Sequence, residues 1–173
     1  EKVGLSLPGK GLGIALADYD RDGRIDLFIA NDSMSEFLYR NKGNGTFEEV
    51  GLASNVAVDE DGNTYAGMGV DFEDYNNDGL PDLVVTDLAN QIYALYQNGR
   101  DGSFTYTSRT SGLARATVGH TGWGIRFIDY DNDGWKDIVV ANGNFSSLLD
   151  PLPKEGKFAQ PIQLFRNRGD LTF

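Results

Sequence analysis

Asp129-Tyr130-Asp131-Asn132-Asp133-Gly134-Trp135-Lys136-Asp137 is the third appearance of one nine-residue pattern. The earlier copies are Asp18-Tyr19-Asp20-Arg21-Asp22-Gly23-Arg24-Ile25-Asp26 and Asp74-Tyr75-Asn76-Asn77-Asp78-Gly79-Leu80-Pro81-Asp82. Their first aspartates stand 56 and then 55 residues apart. A fixed period of this length is the signature of a repeat architecture.

Oxygen donors at alternate positions, a glycine for a sharp turn and a carbonyl just after it suit a hard cation such as Ca²⁺. The pattern begins like an EF-hand loop, but an EF-hand closes with a later glutamate between two helices. Here an aspartate closes three residues past the glycine, and short apolar runs flank the loop. The loop is therefore expected to join two strands. The side-chain ligands expected in the first copy are Asp18, Asp20, Asp22 and Asp26, with the carbonyl of Arg24. In the third they are Asp129, Asp131, Asp133 and Asp137, with the carbonyl of Trp135. The second offers Asp74, Asn76, Asp78 and Asp82 with the Leu80 carbonyl. A neutral amide at Asn76 attracts a cation less than a carboxylate, so this site is expected to be the weakest of three Ca²⁺ sites. Asp, Asn and Gly also favour plain tight turns, but a turn has no use for the last aspartate.

Charge supports the metal reading. The three loops hold 11 of the 26 carboxylates, and the other 15 equal the 15 lysines and arginines, so the loops account for the whole net charge of −11. Crowded carboxylates repel one another and resist ionisation, and the chain is expected to be less stable without calcium. The acidic balance, with pI near 4.4, argues against nucleic acid and anionic membrane surfaces as partners. No apolar run is long enough to span a membrane. With no cysteine, disulfides, thiol catalysis and Cys-ligated zinc are excluded.

At 173 residues, with 40% hydrophobic content and 22 glycines, the chain reads as a single all-β domain. Strands are expected over 11–18, 25–31, 36–41 and 46–50 around the first loop. The second copy repeats them over 69–74, 82–87, 91–98 and 103–107. The third gives 124–129, 137–142, 163–167 and 172–173, interrupted by an insertion at 143–161. Four antiparallel strands per repeat fit a propeller blade. The repeat units are read as 1–47, 48–104 and 105–173. Thr46-Phe47-Glu48-Glu49-Val50-Gly51-Leu52 is echoed by Thr172-Phe173 at one end and Glu1-Lys2-Val3-Gly4-Leu5 at the other. Propellers close with four or more blades, and three leave open edges that invite pairing. The chain is therefore expected to be a piece of a longer propeller or a protomer that associates with copies of itself.

The pattern Gly-(x)4-Asp-Tyr-Asp-Asn-Asp-Gly-x-x-Asp, followed by Leu-Tyr-Arg-Asn-x-Gly-x-Gly-Thr-Phe, resembles the FG-GAP/VCBS repeats of integrin-α-like β-propellers. Gly67-Met68-Gly69-Val70-Asp71, Gly122-Trp123-Gly124 and Gln160-Pro161-Ile162-Gln163-Leu164-Phe165-Arg166-Asn167 are similar to the ASPIC/UnbV, cartilage acidic protein-like group. This resemblance covers essentially the whole chain. It implies calcium between the first two strands of each blade, a seven-bladed ring in many relatives, and export from the cytoplasm. Leu171, where the repeat has Gly45 and Gly102, departs from the pattern, so the last turn is expected to differ.

Several further features have a plain reading. Asp71 and Arg126 occupy equivalent places in their repeats, where a salt bridge between neighbouring blades is expected. The insertion offers Phe145, Leu148, Leu149 and Phe158 as apolar anchors for a partner. Arg168-Gly169-Asp170 spells an adhesion tripeptide but falls where the repeat itself supplies a turn. Asn31, Asn44 and Asn144 head glycosylation sequons. His120 is the only histidine, with no catalytic constellation around it. The resulting expectation is a non-enzymatic, calcium-binding, extracytoplasmic β-propeller segment that binds a protein partner or scaffolds a larger assembly. The alternatives are a lectin-like, carbohydrate-binding propeller and a non-catalytic propeller part of a polysaccharide-active enzyme. A signal for export is expected to lie upstream of Glu1 or to have been removed.

Overall fold

Alternating apolar runs separated by Asp- and Gly-rich turns build three antiparallel sheets in a computed structural model that describes residues 3–147 and 157–173. The first is a meander of β1 (Gly11–Ala17), β2 (Asp26–Met34), β3 (Phe37–Asn41) and β4 (Phe47–Glu49). A two-residue strand, β5 (Tyr65–Ala66), extends it by pairing with Asp32 and Met34 at the far end of β2. The second meander comprises β6 (Val70–Glu73), β7 (Asp82–Val85), β8 (Ala94–Asn98) and β9 (Phe104–Tyr106). One short helix, α1 (Leu113–Thr117), leads into β10 (Gly122–Ile128), β11 (Asp137–Asn142) and β12 (Gln163–Phe165) of the third sheet. Chain and fold are thus all-β, as the turn spacing predicts.

The structure differs from the sequence reading in several details. Neither β5 nor α1 has a periodic signal, because two strand residues and five helical ones are too few to show one. Residues 172–173 do not pair as a fourth strand. Phe173 instead donates its N–H to the Ser111 carbonyl at 2.9 Å, which ties the chain end to the segment before α1. The same bond recurs between Phe104 and the Ser54 carbonyl, also at 2.9 Å.

The second sheet presents one face to the first sheet and the other to the third. Phe28, Ala30 and Leu38 of the first meet Val70, Leu83, Val85 and Tyr96 of the second in one core. Val84, Tyr93 and Leu95 of the second meet Ile125, Phe127, Ile138 and Val140 of the third in another. Burying each valine, leucine, isoleucine or phenylalanine among these contributes about 1.5–3 kcal/mol. The first strands approach so closely that only glycine fits between them. A Cβ on Gly13 would lie 2.1 Å from the Met68 carbonyl oxygen, and one on Gly69 would lie 2.0 Å from that of Trp123. Gly124, the same position in the third sheet, meets nothing closer than 3.9 Å.

The outer faces of the stack are correspondingly bare. Ile14 and Leu16 are 60% and 59% exposed, whereas their equivalents Val70, Ile125 and Phe127 are 5%, 4% and 7% exposed against the preceding sheet. Tyr19 and Tyr75 are 3% and 1% exposed under the following sheet, but Tyr130 is 46% exposed.

The last turn does not depart from the repeat, contrary to the expectation drawn from Leu171. Leu171 adopts φ 69°, close to the 80° and 81° of Gly45 and Gly102, and Asp170 accepts from the Thr172 hydroxyl at 2.6 Å just as Asn44 accepts from Thr46. The turn keeps its shape, and the leucine absorbs left-handed backbone strain of about 1–2 kcal/mol. Leu171→Gly should therefore stabilise the fold by about 1 kcal/mol, read as a shift in the midpoint of urea unfolding.

Candidate functional site

The three Asp loops share one backbone. Arg21, Asn77 and Asn132 have φ 59°, 58° and 59°, and the glycines two residues on, Gly23, Gly79 and Gly134, have φ 85°, 86° and 89°. This turn directs N–H groups inward onto the first aspartate. Asp18 Oδ1 accepts from Asp22 N–H at 2.9 Å and its Oδ2 from Gly23 N–H at 2.9 Å. Asp74 does the same with Asp78 and Gly79 at 3.0 and 2.8 Å, and Asp129 with Asp133 and Gly134 at 3.1 and 3.0 Å.

The loops gather carboxylates unequally. Asp18, Asp20 and Asp22 each offer an oxygen within 4.8 Å of the other two, as do Asp129, Asp131 and Asp137. Oxygens bound to one Ca²⁺ at about 2.3–2.6 Å lie no more than about 5 Å apart, so both trios fit a shared cation. The second loop gathers no such trio among the described residues. There Asn76 Oδ1 accepts from Asp78 N–H at 3.0 Å, and its amide donates to Asp78 Oδ2 at 3.1 Å. Two arginines compete for the oxygens. Arg24 pairs with Asp22, and Arg166 reaches Asp131 at 2.9 Å and Asp133 at 3.2 Å.

The closing aspartate braces each hairpin. Asp26 accepts from Tyr19 N–H at 3.2 Å and Asn41 N–H at 2.7 Å. Asp82 accepts from Tyr75 at 3.2 Å and Asn98 at 2.8 Å, and Asp137 from Tyr130 at 3.2 Å and Asn167 at 2.8 Å. These carboxylates link the loop to the third strand of their own sheet. Asp26 is not part of the first trio, whereas Asp137 belongs to the third. Burial, opposed by the two N–H bonds, raises Asp26 to about 6 and Asp82 to about 7.

A clamp that the sequence reading did not identify ties successive sheets together at the loops. The Asn98 amide donates to the Tyr19 carbonyl of the preceding loop at 2.8 Å and to the Pro81 carbonyl at 2.9 Å. Asn167 repeats this on Tyr75 at 2.8 Å and Lys136 at 3.0 Å. The signal was the asparagine ending Leu38-Tyr39-Arg40-Asn41, Leu95-Tyr96-Gln97-Asn98 and Leu164-Phe165-Arg166-Asn167.

Elsewhere Asp71 and Arg126 pair across neighbouring sheets at 2.5 Å, as expected. Asp71 also accepts from Phe127 N–H at 2.9 Å. Asp170 of the adhesion tripeptide is engaged by Thr172, its repeat role. Of the sequon asparagines, Asn31 is fully buried and Asn144 is 6% exposed, whereas Asn44 is exposed. Among the insertion anchors, Phe145 and Phe158 are 63% and 47% exposed; Leu148 and Leu149 lie outside the described residues. His120 uses its carbonyl to accept from the Tyr93 hydroxyl at 3.1 Å.

Two buried acids lie between the first and second sheets. Glu36 is 0% exposed and accepts from Asn31 N–H at 2.5 Å. Burial, aided by the neighbouring charge of Asp87, raises it to about 9. Asp87 is 1% exposed, and burial raises it to about 7. Gly67 makes room for Glu36, since a Cβ there would lie 2.3 Å from Oε1.

Comparison with known proteins adds a family pattern. The model of the FG-GAP-like repeat matches residues 18–85 and 74–140. Cartilage acidic protein 1 of Xenopus tropicalis is 38% identical over 84 residues, and those of Mus musculus and Homo sapiens are 34% and 32% identical over 83. Each match covers 48% of this chain and 12% of the relative.

Two outcomes test this geometry. Asn98→Ala leaves the Tyr19 and Pro81 carbonyls without their donor and should cost about 1–3 kcal/mol, read by chemical denaturation. Glu36 has a folded pKa raised above its ordinary value of 4.5, so the folded state holds more protons than the unfolded one up to about pH 9. Unfolding free energy should therefore fall as pH rises from about 4.5 to about 9, with Asp87 adding to the slope below about 7. Glu36→Gln should flatten the slope between pH 7 and 9 in a denaturation series.

Proposed function

The chain belongs to the FG-GAP-like repeat family, and from that premise we propose that it is a calcium-binding, extracytoplasmic β-propeller segment whose work is protein binding or scaffolding. Its three repeat units form one domain, and its metal ions are structural rather than catalytic. The observation that carries this reading is the carboxylate trios at Asp18/Asp20/Asp22 and Asp129/Asp131/Asp137, held on identical loop backbones.

The residues that would hold Ca²⁺ are Asp18, Asp20, Asp22 and Asp26 with the Arg24 carbonyl, and Asp129, Asp131, Asp133 and Asp137 with the Trp135 carbonyl. Asp74, Asn76, Asp78 and Asp82 with the Leu80 carbonyl make the second site and the weakest of the three, in keeping with the absence of a carboxylate trio there among the described residues. A bound cation supplies positive charge to crowded carboxylates and closes the hairpin. In the third loop it must also outcompete Arg166.

The bare outer faces support assembly. Ile14 and Leu16 on one side, and Tyr130 with the open space over Gly124 on the other, are the positions that successive sheets cover inside the chain. Further sheets of this repeat are the partners that such faces fit. Extracytoplasmic placement is supported by the calcium assignment, since oxygen sites of this kind fill where calcium is abundant.

Calcium should raise the thermal midpoint of the chelator-treated protein, with each site adding about 2.7 kcal/mol when calcium stands a hundredfold above its dissociation constant. Titration calorimetry should resolve one weaker site. Asp129→Asn should weaken the third site alone, and Asn76→Asp should strengthen the second. A midpoint indifferent to calcium would reduce the loops to turns.

A further inference from the structure

The β1–β2 and β6–β7 loops occupy one end of the first two sheets, so the segment before β5 and the β7–β8 turn lie at the other. There a cavity of about 270 Å³ opens between the two sheets. Its walls include Asp59, Tyr65, Asp87, Gln91, Ile92 and Tyr106. None of these residues belongs to the Asp loops.

Above about pH 7, where Asp87 is ionised, the cavity contains more negative charge than its surroundings neutralise. Arg109, also on the wall, is engaged by Glu60 and reaches Asp61 at 3.7 Å. Neither Asp59 nor Asp87 has an ion pair among the described residues. Asp59 Oδ1 is fixed by the N–H groups of Asp61 at 3.0 Å and Asn63 at 2.8 Å. Asp87 Oδ1 is fixed by those of Ala66 at 3.1 Å and Leu88 at 2.7 Å. Asp87 Oδ2 is buried and has no hydrogen-bond partner among the described residues. A buried carboxylate oxygen left unpaired is costly, and a ligand that pairs with it recovers that cost.

We propose that this cavity binds a primary alkylammonium group, such as the end of a lysine side chain, with the ammonium on Asp87 and its stem along Tyr106 and Ile92. The volume suits several heavy atoms rather than a bare ion. Calcium would need six or more oxygens in one shell, whereas part of this wall is aromatic and aliphatic. A neutral sugar would leave the charge on Asp87 uncompensated. An ammonium answers both features, because a cation gains from a carboxylate and from a tyrosine face together.

The Ala66 and Leu88 amides, which hold Asp87 Oδ1, are built-in reporters. In ¹⁵N–¹H spectra of the whole chain, n-butylammonium chloride should move both peaks saturably, and n-butanol should not. Asp87→Asn keeps an acceptor for those two amides but removes the charge, and should weaken the apparent Kd at least tenfold. Asp59→Asn, which likewise keeps its turn acceptor, should weaken it at least threefold and carries the test where Asp87→Asn fails to fold. The proposal is overturned by the absence of saturable movement, by an equal response to n-butanol, by undiminished binding in the folded variants, or by calcium moving these peaks when butylammonium does not.

Discussion

Every sheet in this protein depends on covering a face with a neighbouring sheet of the chain. A three- or four-stranded meander cannot bury both its faces by itself, and its apolar residues lie on both sides because each side meets a neighbour. The second sheet shows the completed condition, with Val70 and Leu83 buried against the first and Val84 and Leu95 against the third. The first and third sheets show the same positions half satisfied. The glycines of the first strands enforce this stacking, since Gly13 and Gly69 allow a backbone approach that any side chain would block.

Much of this was legible in the sequence because it is written three times. One Asp-rich loop is ambiguous between a turn and a site, but a recurring closing aspartate fixes the hairpin on either side of it and hence the meander. The Asp71–Arg126 pair was readable for the same reason, as equivalent positions on adjacent units. The clamping asparagines Asn98 and Asn167 escaped although they repeat, because a sequence does not say which carbonyls an amide will reach; the rest of what escaped lacks repetition or periodicity. The β5 strand and the α1 helix are too short to carry a pattern. The acids Glu36 and Asp87 occur once each, and nothing in a linear sequence reports that two carboxyls will be enclosed between sheets.

Leu171 shows where pattern reading misjudges physics. A residue that breaks a repeat can change the local conformation or be forced into it, and the surrounding bonds decide between the two. Here Thr172 on Asp170 and Arg168 N–H on the Thr172 carbonyl, at 3.0 Å, hold the turn closed. The leucine follows its frame into a left-handed conformation that glycine would adopt freely.

The loops and the sheet stack form one mechanical unit, and that couples the proposed ion to the fold. Tyr19 is the hinge between them: its N–H is held by Asp26 of its own loop, and its carbonyl is held by Asn98 of the following sheet. Tyr75 stands in the same position between Asp82 and Asn167. A cation that tightens the first loop therefore steadies the peptide group onto which the second sheet is clamped. The consequence is directional, since each loop supports the junction with the sheet after it. In the third copy Tyr130 keeps its bond to Asp137 at 3.2 Å while its side chain remains exposed. Filling that loop would prepare the outer face for another sheet, so metal binding and assembly would reinforce each other through one backbone contact.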